Sequence, residues 1–507
     1  MKRMTARGLA LALTLLGVAL APQAQDEAAP RRNGQGGGQG GGQGGKGGRG
    51  GAWTLPAELA PQQELSVLLG RPTARSVTLN LLAASARELR LRWGRADRPR
   101  ETWTTGPNLS LRAGEPLEFE LSGLSPDARH GYELQQRRTG DAAWQTLEAQ
   151  TFHTQRAPGQ AFSFALQGDS HPERGHQFDP RLYAQTLRAA AQAQPDFYLT
   201  LGDDFSVDTL KEWTRDSVSG RYLLQRPFLS LIGRTAPLFL VNGNHEQAAG
   251  ANLDGGPDNV AVWAQTARNR LYPQPAPDGF YSGNAEPVPH IGLLRNYYAW
   301  TWGDALFVVL DPYWHSRGPA DNALGSRDKG GKGGRDLWDN SLGDAQYHWL
   351  RQTLEGSRAR YKFVFAHHVL GTGRGGVEMA TQFEWGGRNR QGRDEFAQRR
   401  PGWPLPIHAL MVKTGVTIFF QGHDHVFARQ ELDGVVYQTV PEPADPNQAF
   451  YFREHYRSGE LLPNSGWLNV QVGPEKVRVA YRRSWLPDQP APEPREFSYE
   501  VSARPGP

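Results

Sequence analysis

The 507 residues contain no cysteine. That excludes disulfides, thiolate metal sites, a cysteine nucleophile and a lipidated cysteine anchor, so any metal must sit on oxygen and imidazole ligands. The chain also lacks a strong excess of either charge: 56 Lys and Arg stand against 52 Asp and Glu. Three of those positives are Lys2, Arg3 and Arg7, and removing them leaves 53 against 52, about +1. Such a balance offers no clustered basic face and excludes electrostatic nucleic-acid binding. The apolar run from Gly8 to Ala21 spans 14 residues, short of the roughly 20 that cross a bilayer. Behind the basic start it reads as a signal peptide over residues 1–24. The expectation is an exported chain, periplasmic or extracellular, with no transmembrane helix once mature.

Beyond residue 24 the chain divides into blocks of distinct composition. Thirteen of the 18 residues between Gly34 and Gly51 are glycine, a composition that cannot repay the entropy of ordering, so residues 25–52 read as a flexible linker. As a coil that tract would extend about 20 to 25 Å. Residues 53–156 carry a period of two in Val77, Leu79 and Leu81, in Leu89, Leu91 and Trp93, and in Leu117, Phe119 and Leu121. Turn signals at Thr105-Gly-Pro107 and Ala113-Gly-Glu-Pro116 separate these half-buried strands, which predicts a small all-β sandwich. The stretch from Leu121 to Tyr132 resembles the tyrosine-corner region of fibronectin type III domains. No ligand cluster lies there, so a packing or spacer role is expected.

After Ala157 the pattern changes to short apolar runs alternating with helical segments, predicting an α/β catalytic domain over residues 157–485. The runs are Phe162 to Leu166, Phe197 to Leu201, Leu238 to Val241, Leu306 to Leu310, Phe363 to Ala366 and Val416 to Phe420. One helix is marked by Tyr347, Leu350 and Leu354, with a capping-box-like start at Ser341 and Asp344 and with His348 on its solvent side. Residues 325–335 read as a surface insertion, and residues 486–507 as a Pro-rich tail, disordered or laid along the surface.

Five of the six runs end at potential metal ligands: Asp169-Ser-His171, Gly202-Asp203-Asp204, Gly243-Asn244-His245-Glu246, His367-His368 and Gly422-His423-Asp-His425. Six of the 14 histidines fall in these loops. Loops at the carboxyl ends of parallel strands converge on one crevice. In an extended segment, alternation would put both ligands of Asp-x-His and of His-x-His on one side.

The order and spelling of these motifs resemble the calcineurin-like metallophosphoesterase superfamily over roughly residues 160 to 445. The resemblance implies a β-sandwich core flanked by helices and two divalent or mixed-valence cations, from manganese, iron or zinc. One would be held by Asp169, His171 and His425 and the other by Asn244, His367 and His423, with Asp203 bridging. His367 is preferred to His368 because the family uses the first residue after the strand. The resemblance also implies attack of a metal-bridging hydroxide on phosphorus, with His245 as the acid that protonates the leaving oxygen. A β-sandwich ahead of the enzyme is shared with purple acid phosphatases. Their tyrosine three residues after the bridging aspartate is here Ser206, however, and their Asp-x-Gly is Asp169-x-His171, so no tyrosinate–iron site is expected.

Around that set, Glu246 either orients His245 or caps local structure. Asp311, ending the remaining run, Leu306 to Leu310, either orients a ligand histidine or serves as a turn residue. The Gly- and Arg-rich segment from 371 to 403 is a candidate rim, with Arg374 and Arg393 as phosphate-binding candidates. The expected substrate is a phosphate monoester; the alternatives are a phosphodiesterase or nucleotide hydrolase on the same site, or a non-catalytic surface binding protein with a structural metal centre.

Overall fold

The computed structural model describes residues 53–138, 141–147, 149–246, 249–320, 336–369 and 373–503. The expected signal peptide, Gly-rich linker and insertion at 325–335 lie outside these residues.

Two sheets form the core of the larger, C-terminal region. One has six strands in the order Leu238–Leu240, Tyr198–Thr200, Phe162–Gln167, Gly466–Val472, Lys476–Arg483 and Glu496–Ser502. The other has eight, with Ala305–Val309, Tyr361–Phe365, Ile418–Gln421 and Val435–Thr439 parallel at its centre. Successive side chains of a strand point to opposite faces, and here both faces are covered, which is why the runs are continuously apolar. Phe164 and Leu166 enter the layer between the sheets, whereas Ala165 faces the helices; Phe363 and Phe365 point inward, whereas Val364 and Ala366 point out. Helices Pro180–Gln192, Arg215–Gly233 and Val260–Leu271 pack on the outside of the first sheet, and Gly343–Gly356 and Ile407–Lys413 on the outside of the second.

The inter-sheet layer is largely aromatic. Trp300 stacks on Phe239 at 4.0 Å and on Phe307 at 4.9 Å, and Phe164 meets Phe307 edge to face at 5.2 Å. This layer fixes the spacing of the two sheets, and therefore of the loops that leave their edges.

Several expectations are corrected. Helix Gly343–Gly356 starts with half of the expected box: Ser341 Oγ accepts from Gly343 N at 2.9 Å and donates to Glu384 at 2.7 Å, whereas Asp344 does not reach back but accepts from the Trp403 indole at 2.7 Å. The tail is not free, because Glu496–Ser502 completes the six-stranded sheet along Lys476–Arg483. Helix Arg215–Gly233, capped by Thr214 and Ser217, has no counterpart in the expectations.

The N-terminal region is all-β, with one sheet of Leu65–Gly70, Val77–Ala83 and Leu117–Leu121 facing a second built on Arg87–Arg95 and Arg129–Arg138. Tyr132 makes no corner bond within this sandwich. Its hydroxyl donates to Arg234 O of the catalytic region at 2.7 Å. Beside it the buried Arg226 reaches the carbonyls of Asn80, at 2.9 Å, and Leu271. Burial pushes that guanidinium down to about 10. The sandwich is thus bonded into the catalytic region.

The Trp300 indole is buried and makes no hydrogen bond among the described residues, so its contribution is packing alone. Trp300→Ala is expected to cost about 3–5 kcal/mol, whereas Trp300→Phe, which keeps the stack, is expected to cost below about 1.5 kcal/mol. Denaturant unfolding of the variants checks this; equal losses would show that the indole does more than fill the layer.

Candidate metal centre

Both sheets present the carboxyl ends of their parallel strands at the same edge, and the expected ligands meet there. Asp169 follows Phe162–Gln167; its Oδ2 accepts from His423 N at 2.8 Å, while its Oδ1 lies 3.5 Å from His425 Nε2 and 3.7 Å from His367 Nε2. Asp203 follows Tyr198–Thr200. Its Oδ1 accepts from His245 N at 2.9 Å, and its Oδ2 lies 3.2 Å from His367 Nε2 and 3.8 Å from His171 Nε2. Ligating atoms of Asp169, His171 and His425 all fall within 4.8 Å of one another, as do those of Asp169, Asp203 and His367, and those of His367, His368 and His423. Asn244 is buried between Gly243, which packs on Asp203, and His245.

Strand alternation does not produce this convergence. His171, Asp203, His423 and His425 have φ values of 42°, 51°, 71° and 53°, in the left-handed region that non-glycine residues rarely adopt. The loops carrying these four residues are tight turns, not extended segments, and their backbone strain is held by the surrounding bonds. Gly243 shows how close the loops come: a Cβ there would lie 2.1 Å from Asp203 N.

Three of the four candidate ligand imidazoles are oriented by a bond at one nitrogen, leaving the other turned inward. His367 Nδ1 bonds Leu201 O at 2.7 Å, His171 Nδ1 lies 3.2 Å from Glu173, and His425 Nδ1 lies 2.8 Å from Glu442. Partners of this kind fix the tautomer and direction of a ligand histidine. Glu173, Glu442 and Asp208 were not anticipated from the sequence. Glu173 is two residues from His171 and carried at most a proximity signal; Glu442 lies 17 positions beyond His425 and carried none.

The residues around the set divide between the alternatives expected of them. Glu246 does not orient His245: its Oε2 accepts from Asp203 N at 2.8 Å, and the bond to His245 Nδ1 comes from Asp208 at 2.8 Å. Asp311 accepts from Asn296 at 2.7 Å and Asn242 at 3.3 Å, bracing the Asn244 loop from behind, and from Tyr313 N at 2.9 Å. Tyr313 in turn bonds His368 Nδ1 at 2.6 Å. Arg374 reaches the centre, bonding His423 O and, at 3.0 Å, Asp424. Arg393 does not; it is 75% exposed and lies 3.7 Å from Glu395. The rest of the expected rim packs elsewhere, with Trp385 and Phe396 in the core outside the eight-stranded sheet.

The electrostatics are those of a site built for cations. Burial raises Asp169 to about 6, partly offset by His367. At Asp203 burial is overcome by His367 and His245, which hold the carboxyl well below its usual range. Burial disfavours a charge on His367, yet Asp203 and Asp169 raise it to about 10, while burial lowers His171 to about 4 and His423 and His425 well below their usual value. Asp169 Oδ1 and His171 Nε2 are buried without a hydrogen-bond partner among the described residues. Unpaired buried acceptors are costly, and oxygen plus imidazole donors suit divalent first-row cations. The residues therefore fit a metal.

A family model, calcineurin-like phosphoesterase, matches residues 162–427. The chain belongs to that family and is a metal-dependent phosphoesterase. Among solved structures it is similar to one of PhoD, at 15% identity over 86% of this chain and 90% of that one, with a TM-score of 0.60, which places the two in the same fold. A second similarity, to GAP50 from Plasmodium, has 11% identity, covers 68% of this chain and 90% of that one, and has a TM-score of 0.35. No curated protein sequence matches the chain.

Metal uptake must displace protons from this cluster, because ligands bind deprotonated. His367 is charged below about 10 and Asp169 neutral below about 6, so apparent metal affinity is expected to rise from about pH 6 to about pH 9. Titration calorimetry in buffers of different ionisation enthalpy measures both affinity and proton release. Affinity that is constant or falls over that range, with no protons released, would contradict the assignment.

Proposed function

We propose that the chain is an exported phosphomonoesterase with two divalent cations. Asp169, His171 and His425 hold one; Asn244, His367 and His423 hold the other; Asp203 lies between them. The observation that carries this is the clustering of His171 and His425 with Asp169 on one side and of His423 with His367 on the other, both joined through Asp169 and Asp203. When bound, the cations supply Lewis acidity that activates water and neutralises charge on the phosphoryl oxygens. Manganese, iron and zinc all suit the donor set.

The chain's own contribution is orientation and proton transfer. His245 stands outside the ligand set, its side chain 22% exposed at the edge of the cluster and its Nε2 4.0 Å from Asp203 Oδ2. Burial would lower its pKa, but Asp203 and Asp208 raise it instead, which favours the protonated ring. Its role is to give a proton to the leaving alcohol oxygen, with Asp208 holding the ring through Nδ1. A paired, partly exposed histidine at the edge argues against a centre that only staples the fold.

His245→Ala is expected to retain its metals and lose turnover by about 10²- to 10⁴-fold on alkyl phosphates, and much less on nitrophenyl phosphate, whose leaving group needs little protonation. Elemental analysis with steady-state kinetics tests this. Metal loss would make His245 a ligand; equal slowing on both substrates would make it a phosphate-positioning group.

Export rests on the basic start, the 14-residue apolar run and the Gly-rich tract; no helix of the described residues is long and apolar enough to cross a membrane. The N-terminal region, which we take as a fibronectin type III-like module, would serve as a rigid support for the enzyme rather than a loose spacer. Mass spectrometry of the protein from its native host is expected to find a mature chain lacking at least the first 20 residues. An intact Met1 on a cytoplasmic product would refute export.

A further inference from the structure

Among the described residues two large hydrophobic side chains are exposed, Trp213 at 36% and Phe450 at 43%. Single exposed rings are ordinary on a protein surface; the position of these two is what counts. Trp213 lies five residues beyond Asp208, the partner of His245. Phe450 lies in a turn whose next two rings border the cluster: Tyr451 is 6.0 Å and Phe452 6.5 Å from the His425 ring, both near perpendicular to it.

This turn is built rather than loose. Gln448 and Phe452 have φ values of 53° and 55°, an unfavourable conformation for a bulky aromatic residue that persists only when its surroundings enforce it. The enforcing contacts are present. Tyr451 donates to the buried Asp445 at 2.6 Å, Ala449 N to Asn464 at 2.6 Å, and the Arg374 guanidinium lies 3.4 Å over the Phe452 ring while bonded to Asp424. Arg453 lies 5.2 Å over one face of Phe450. The turn therefore carries an exposed aromatic ring with Arg453 over one face, two residues before Phe452, which lies between His425 and the Arg374 guanidinium at the edge of the metal centre. Hydrophobic area with flanking cations is what a planar ring attached to a phosphate would meet favourably.

We propose that the turn around Phe450 is a recognition wall for the alcohol side of the substrate, selecting phosphate esters whose alcohol carries a planar ring, a nucleobase or an aryl group, over those with a purely aliphatic one. The ring of the ester stacks on Phe450, and the Arg374 and Arg453 side chains add positive charge along the same edge. This rests on the phosphoesterase reading above and adds a substrate class to it.

The test separates the two. Binding of phosphonates that cannot be hydrolysed is measured by calorimetry on the full-length, metal-loaded protein, in two matched pairs. One pair is the methylene phosphonate analogues of AMP and of ribose 5-phosphate; the other is benzylphosphonate and cyclohexylmethylphosphonate. The ring-bearing member is expected to bind about 5- to 50-fold more tightly, within what one aromatic stack supplies. That ratio is expected to fall toward one in Phe450→Ala and to survive in Phe450→Tyr. Discrimination confined to the first pair identifies a nucleobase, and discrimination in both identifies any planar ring. Equal binding within both pairs, or a ratio unchanged in Phe450→Ala, overturns the wall. Phosphate release from AMP and from ribose 5-phosphate is followed in parallel: ring discrimination without turnover of either leaves the wall standing and removes the monoesterase reading, whereas turnover of both without discrimination does the reverse.

Discussion

A carboxylate in a protein interior must be paired, hydrogen-bonded or bound to metal, and the fold around Asp203 is arranged to meet that requirement. Its two oxygens and its backbone N–H are each committed to a different partner: Oδ1 to His245 N, Oδ2 toward His367, and the N–H to Glu246. The loops that meet here come from three strands in two sheets. Asp203 can keep its charge only if all of them are in place, so the metal centre and the packing of the sandwich are mutually dependent. The same condition explains why the neighbouring histidines differ. His367 faces two carboxylates and is driven toward the charged form, whereas His423 and His425 are buried, with histidine and arginine among the charges around them, and are driven toward the neutral one.

The scaffold supplies what such a centre needs most, which is constant spacing. An aromatic layer with rings stacked at 4.0 and 4.9 Å leaves the sheets little freedom to slide, since close-packed interiors resist deformation. Parallel registry within each sheet then brings strand ends to a common level. From that rigid edge the loops of His171, Asp203 and His423 turn sharply through left-handed residues, and a carboxylate or carbonyl behind each of His171, His367 and His425 sets its direction. Rigid strands under short, strained, bonded loops are an arrangement that holds donor atoms to fractions of an ångström.

Outside the ligands, the segments that leave the centre take on different tasks. The one after His367 begins at the site with Arg374 and then departs to pack on the outer face of the second sheet through Trp385 and Phe396. The one after Glu442 does the opposite. It stays at the site, anchored by Asp445, and carries Tyr451 and Phe452 past His425. Composition misleads here: the Arg-rich segment looked like the substrate rim, and an aromatic segment borders the cluster instead.

Much of the architecture was legible from residue types alone. Continuous apolar runs at Phe162, Phe197, Leu238, Leu306, Phe363 and Val416 marked the strands, because a strand covered on both faces has no polar side to show. Candidate ligands were legible for a related reason: metal chemistry restricts which side chains can serve, and Asp, Asn and His stood in the turns directly after those strands. The supporting residues were another matter. Glu173, Asp208 and Glu442 are acidic residues among 52, and apart from the place of Glu173 two residues from His171 nothing in their own neighbourhoods sets them apart. Only tertiary structure decided that Asp208 rather than Glu246 holds His245, that Arg374 rather than Arg393 reaches the centre, and that Tyr132 bonds the catalytic region rather than its own sandwich. The physical reason is range. Apolar periodicity and ligand chemistry are written within a few positions of the chain, whereas a hydrogen-bond partner is chosen by which loop arrives beside it, and that depends on the packing of strands tens to hundreds of residues apart.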